Sequence, residues 1–180
     1  MISQPVAIYA STLLNLFATR EIESILRSMP VQKFVCSVAA SEVLYLRHEE
    51  ADHVPELISI NPLVEHGLLT LTSPESPEEE ALFVQFAAKI DDGEAMSLAL
   101  CVSRGYALAT DDRKARRIAA SVAEPIPLVA TSELLFHWAQ SNNISPERIR
   151  EVLAAVELRA RFRPWPEYPL REWWNRMLMI

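Results

Sequence analysis

Glycine is nearly absent from this chain: Gly67, Gly93 and Gly105 are the only three in 180 residues. No GxGxxG fingerprint, Walker A loop or GxSxG elbow can be written with them. Each of those devices needs glycine where the backbone turns sharply or approaches a ligand. A dinucleotide enzyme, a P-loop NTPase and an α/β-hydrolase are therefore excluded as readings. Cysteine is also scarce. Cys36 and Cys101 are far apart in apolar surroundings and form no zinc or redox spacing, so two buried free thiols are expected. The four histidines, His48, His53, His66 and His137, have no i, i+4 pairing and read as surface or hydrogen-bonded residues. No apolar run approaches the roughly 18 residues of a membrane span. The start, Met-Ile-Ser-Gln-Pro-Val, lacks the basic and long apolar regions of a signal peptide. A cytoplasmic protein with no membrane contact is expected.

Positive charge is in short supply too. The formal net charge is −7, and residues 41–94 carry thirteen acids against Arg47 and Lys89. Residues 145–180 reverse the balance, with seven arginines against five glutamates. A nucleic-acid binder normally has a basic footprint, so only a local patch is left for that role. Half the residues are hydrophobic, enough for one domain with a real core.

Short apolar runs alternate with helical patterns along the chain. Strands are expected at 5–10, 31–36, 68–72, 106–110 and 126–130. Helices are expected at 12–19 (capped by Ser11), 20–29, from Ser37 to about Arg47, at 76–90, 91–104, 113–122, 132–140, and from 145 to about 162. Ser76-Pro77-Glu78-Glu79 is a strong helix start, and Gly105 a fitting stop. The stretch 48–67 reads as turns and short helical pieces around Pro55 and Pro62. Residues 164–169 read as an extended connector before a short last helix. Alternating strands and helices imply an α/β fold, with a central parallel sheet covered on both faces. Residues 1–144 would form the domain, and 145–180 a helical extension packed on it.

The stretch from Asp91 to Arg117 carries the chemistry. Asp91, Asp92 and Glu94 open one helix; Asp111 and Asp112 follow a short strand. In an open α/β fold, ligands bind where strands end and helices begin, so these acids should share one rim, as a hard cation such as Mg²⁺ or Mn²⁺ requires. A purely structural account competes: Asp91 with Glu94 makes a capping box, and one of Asp111 and Asp112 caps the next helix. Glu42 either falls on a face otherwise formed by Ala39 and Leu46, where a lone carboxylate is costly unless paired or bound to a cation, or sits at the helix edge beside Arg47. Arg113, Lys114, Arg116 and Arg117 form either a solvated helix face or a grip for RNA phosphates. The tail aromatics Trp165, Tyr168, Trp173 and Trp174 either pack back on the domain or serve a dimer or partner contact.

The order and spacing of these pieces resemble the PIN-domain proteins, which include VapC-type toxins of toxin–antitoxin pairs. Residues 8–16 (Ile-Tyr-Ala-Ser-Thr-Leu-Leu-Asn-Leu) look like the family's opening strand and helix. Asp92-Gly93-Glu94-Ala95 is similar to a third-motif variant, and 109–116 (Ala-Thr-Asp-Asp-Arg-Lys-Ala-Arg) to the fourth motif. The resemblance implies a three-layer α/β/α fold and an Mg²⁺- or Mn²⁺-dependent endoribonuclease. Glu42, Glu94 and Asp112 would be its catalytic acids, with Asp111 a further metal ligand and Ser11, Thr110 and Asp92 in support. It also implies an RNA substrate and an antitoxin-like partner. Tyr9 stands where the family places its first acid, and a neutral phenol is a poor Mg²⁺ ligand. Two functions follow: a ribonuclease with an impaired metal site, or a catalytically silent PIN-like domain that associates with a partner or with itself.

Overall fold

The computed structural model describes residues 3–41, 44–46, 56–168 and 170–180, with the backbone alone at 44–46. Among them are five parallel strands: β1 (Val6–Ile8), β2 (Lys33–Cys36), β5 (Thr70–Thr72), β6 (Ala107–Ala109) and β7 (Leu128–Val129). Their order is β5-β2-β1-β6-β7. A separate antiparallel pair joins β3 (Leu44–Leu46) to β4 (Glu56–Ile58).

Strand residues alternate between two cores, as period-two geometry demands. Val6, Ile8, Ala107 and Ala109 face one hydrophobic cluster, shared with α1 (Ala10–Ala18), α2 (Ile22–Ser28), α8 (Thr131–Ser141), α9 (Pro146–Ala155) and α10 (Arg171–Leu178). Ala7 and Leu108 face the other, shared with α5 (Pro77–Ala87), α6 (Asp92–Arg104) and α7 (Arg113–Ser121). Two smaller helices, α3 (Ser37–Ser41) and α4 (Asn61–Glu65), complete the set. The sheet is thus sandwiched between helical layers, the expected α/β/α arrangement. Residues 145–180 share the first core: Val152, Leu153 and Trp174 are buried in it. α9 continues as a π-helical turn, Val156–Ala160, which ends at Arg161 with φ 55°.

Several local expectations meet a different outcome. Ser11 does not cap the first helix; Tyr9 holds the N-cap position without capping it through its side chain, and Ser11 Oγ is buried with no hydrogen-bond partner among the described residues. The helix after Ser37 ends at Ser41, and Leu44–Leu46 is a strand instead. Its Leu-Tyr-Leu sequence suits either state, and pairing with Glu56–Ile58 decides it. That pairing also brings a strand into the stretch expected to hold turns and helical pieces. Both cysteines are free and buried, and burial pushes the Cys101 thiol pKa up. His66 sits 3.4 Å from Glu23, and His137 Nε2 lies 3.2 Å from the Ser28 carbonyl. His48 and His53 lie outside the described residues.

β1 is the first strand laid down; β2 and β5 extend to one side of it, β6 and β7 to the other. The order reverses between β1 and β6, and the crevice beyond the carboxyl ends of strands at such a point is where open α/β sheets bind ligands.

A candidate site where three helices begin

Tyr9 directly follows β1, and Thr110, Asp111 and Asp112 directly follow β6. Register holds the two strand ends side by side: Ile8 pairs with Ala109, and Tyr9 N–H donates to the Ala109 carbonyl at 3.1 Å. Thr110 N–H donates across to Val129 of β7 at 3.0 Å.

Three of the helices that start at this edge are each served by an aspartate. Asp91 caps α6, accepting the Glu94 N–H at 2.8 Å. Asp112 caps α7: its Oδ1 accepts the N–H groups of Lys114 and Ala115, both at 2.7 Å. Asp111 serves α8, a helix it does not belong to. The N-cap residue of α8 is Ala130, which has no side-chain oxygen to offer. Asp111 reaches over and accepts the Thr131 N–H at 3.2 Å, together with the Thr131 hydroxyl. Asn15 Nδ2, from α1, donates to the same carboxylate at 3.3 Å and to Thr131 Oγ1 at 3.0 Å. A free helical N–H and a positive helix end both favour a carboxylate, so Asp91 and Asp112 are held at their helix starts by the protein's own donors.

Their electrostatic settings differ. Burial raises the Asp111 pKa from its ordinary 3.8, against the pull of Thr131, Arg116 and Asn15. Asp91 is exposed, and both its oxygens accept from the Tyr9 hydroxyl at 3.1 Å. Tyr9 itself is only 8% exposed, and its hydroxyl at the end of β1 is turned on the neighbouring acid. Glu94 is buried, 7% exposed, in the first turn of α6; Asp92 beside it is exposed. Thr110 Oγ1 accepts the Asp112 N–H at 3.1 Å, tightening the turn into α7.

The structure thus brings Tyr9, Asp91 and Glu94 together around one helix start, and Asn15, Asp111 and Thr131 around another. Glu42 lies outside the described residues. Among the described residues no three His, Cys, Asp or Glu side chains group closely enough to hold a metal ion. Of the described acids here, Asp91, Asp111 and Asp112 each accept a helical N–H, and Tyr9 stands at the head of β1.

Of the four basic residues, Arg116 turns inward. Its Nη1 donates to the Thr110 carbonyl at 2.8 Å, and its guanidinium lies 5.5 Å from the centre of the Tyr168 ring. Arg113, Lys114 and Arg117 are exposed. Arg113 lies 4.6 Å over the Trp165 ring. The connector after α9 thus folds back over the start of α7. Tyr168 OH donates to Glu133 at 2.7 Å, and burial followed by that bond drives its pKa up. Glu133 accepts the Ala130 N–H through the same oxygen at 2.8 Å. A cavity of about 630 Å³ runs beside α8, lined by Gln4, Val31, Pro127, Val129, Glu133 and His137.

Sequence reasoning assigned no role to Asn15 or Thr131. The signal for Asn15 was its place in Leu-Leu-Asn-Leu-Phe, a buried amide in an apolar helix face. Thr131 offered none, because its partner is twenty residues upstream.

No curated protein and no solved structure gives a match to this chain. The model of the family DUF3368, a PIN domain, matches residues 6–167, from the first residue of β1 to the connector beyond α9. With the sheet order and layers described above, this chain belongs to the PIN-domain family.

Proposed function

We propose that this is a catalytically silent PIN domain that works by association, with a protein partner or a second copy of itself. One observation carries the reading. The Tyr9 hydroxyl bridges to both oxygens of Asp91 at the switch point of the sheet, where the resemblance puts the family's first acid. Mutual repulsion among the retained acids would have argued for a bound cation. The helix starts supply compensation to Asp91 and Asp112 from the protein's own donors, and at Asp111 the protonation that burial favours removes the repulsion instead. On this reading Asp91, Asp111 and Asp112 are kept for folding, and residues 145–180 extend the domain toward its partner.

A second reading is a weak Mg²⁺- or Mn²⁺-dependent endoribonuclease, a toxin of a toxin–antitoxin pair. Buried Glu94 favours it, and so does Asp112 Oδ2, which accepts no hydrogen bond among the described residues. Glu42, Glu94 and Asp112, with Asp111, would hold the ion, supported by Ser11, Thr110 and Asp92. A divalent cation there would polarise a phosphodiester and activate water.

Melting the full chain with and without millimolar Mn²⁺, alongside cleavage of a labelled single-stranded RNA, separates the two. The silent domain shows neither a Tm rise nor cleavage, while Tyr9→Asp gains a Mn²⁺-dependent Tm rise. Manganese-dependent cleavage by the wild type, abolished in Glu94→Gln, would overturn the silent reading. Association is read from the solution mass of the chain, alone and after truncation beyond Arg163.

A further inference from the structure

We propose that the cavity beside α8 binds a small, elongated organic amine, with its ammonium on Glu133 and its alkyl or aryl body along the apolar walls. The proposal needs neither a metal nor the acids after β6, and it stands whether or not the domain works by association. At about 630 Å³ the cavity is of a size with ordinary small-molecule sites, roughly 300–1,000 Å³. Met29, Val31, Leu128, Leu134 and Phe136 make its walls mostly apolar. On α8, Glu133, Phe136, His137 and Gln140 recur at three- and four-residue spacing, so one stripe of the helix lines the cavity. From Glu133 to Gln140 that stripe rises about 10 Å, room for a ring with a short chain.

Charge selects the ligand. Among the described residues that line the cavity, Glu133 is the only acid, and there is no lysine or arginine. Its Oε2 is committed: the Ala130 N–H donates to it at 2.8 Å and the Tyr168 hydroxyl at 2.7 Å. Its Oε1 accepts no hydrogen bond among the described residues, and Glu133 makes no ion pair among them. A part-buried carboxylate oxygen left free beside an apolar wall is best met by a charged donor. An anion would be repelled there, and a wholly apolar molecule would desolvate Oε1 without giving it a donor. The site is also built in advance. Two donors fix the Glu133 carboxylate, and Trp173 meets the Phe136 ring edge-on, 5.2 Å between centres. His137 Nε2 lies 3.2 Å from the Ser28 carbonyl, and Trp138 Nε1 donates to Ser24 at 2.9 Å, holding α8 to α2. Little side-chain freedom is then lost on binding.

The test is titration calorimetry of the full chain with 4-phenylbutylamine, using 4-phenylbutanol and 4-phenylbutyrate as neutral and anionic controls of the same shape. The amine should bind about tenfold more tightly than the alcohol, and the acid should not bind. Glu133→Gln keeps an acceptor for the Ala130 N–H but removes the charge, and should bring the amine down to the affinity of the alcohol. Val31→Trp fills the cavity with Glu133 left in place, and should abolish binding of both. Thermal melts confirm that the variants fold, and the comparison of amine with alcohol on the wild type stands without either. The proposal fails if the amine does not bind, if the alcohol binds as tightly, if Glu133→Gln keeps the preference, or if Val31→Trp binds as the wild type does. No binding of the amine by a chain that is dimeric in solution would also overturn it, and would give the cavity to a second copy.

Discussion

Glu79 and Asp111 are both acids drawn into the protein, and their surroundings treat them in opposite ways. Glu79, on α5, meets the fork of Arg104 at 2.7 and 2.8 Å. The same guanidinium donates to Thr72 and to the Ser73 carbonyl, tying α5, α6 and β5 together. That charged partner holds the Glu79 carboxyl down at about 2. Asp111 is served chiefly by neutral donors, Thr131 and Asn15, with Arg116 contributing only at a distance, and burial wins: its pKa rises. Charge in the partner, more than the count of hydrogen bonds, decides which acid stays ionised without cost.

The comparison breaks most visibly at Arg104. Arg104→Ala leaves Glu79 buried without its partner and should cost about 3–5 kcal/mol. A thermal melt would show this as a fall of roughly 10 °C for a domain of this size. Replacing an exposed arginine such as Arg117 should leave the melt nearly unchanged. The two acids should also give pH dependences of opposite sign. The folded pKa of Glu79 is depressed, so its stabilisation is fully present above the ordinary 4.5 and is lost as pH falls toward about 2. The folded pKa of Asp111 is raised, so its contribution is fully present below 3.8 and is lost as pH rises through the folded value. Asp111→Asn should therefore gain in Tm relative to wild type as pH is raised above 3.8. A difference independent of pH would mean the carboxyl is not strained.

Thr131→Val sharpens the contrast at smaller cost. It removes a hydroxyl donor from a part-buried carboxylate, an effect of about 1–3 kcal/mol by denaturant titration. The loss should grow with pH as Asp111 ionises. Smallest is Tyr9→Phe, which takes one phenol from an exposed aspartate and should cost about 1 kcal/mol. A loss as large as that of Arg104→Ala would make Tyr9 the keystone of the edge.

Much of this fold can be read from the chain because its signals are local. Ser76, Pro77 and three glutamates announce α5; Asp91 and Gly105 bracket α6, the glycine adopting the left-handed φ of 68° that favours it. The acids at the carboxyl edge of the sheet follow from strand–helix alternation alone. What escapes is whatever depends on distant partners. Leu44–Leu46 becomes a strand only through Glu56–Ile58. The π-helical turn places Arg159 inside, where its guanidinium donates to the Ala18 carbonyl at 2.7 Å and pairs with Glu56. The motif order marks where along the chain these acids fall. It is silent on whether an aspartate in a motif is spent on a helix, because the beneficiary of Asp111 lies twenty residues downstream.

Ala130 carries the consequence. Because α8 borrows its first acceptor from another segment, positions 111 and 130 are bound in epistasis. A lineage could lose the acceptor at 111 without harm only after gaining a serine or aspartate at 130, and until then an acceptor there would persist under selection for folding alone.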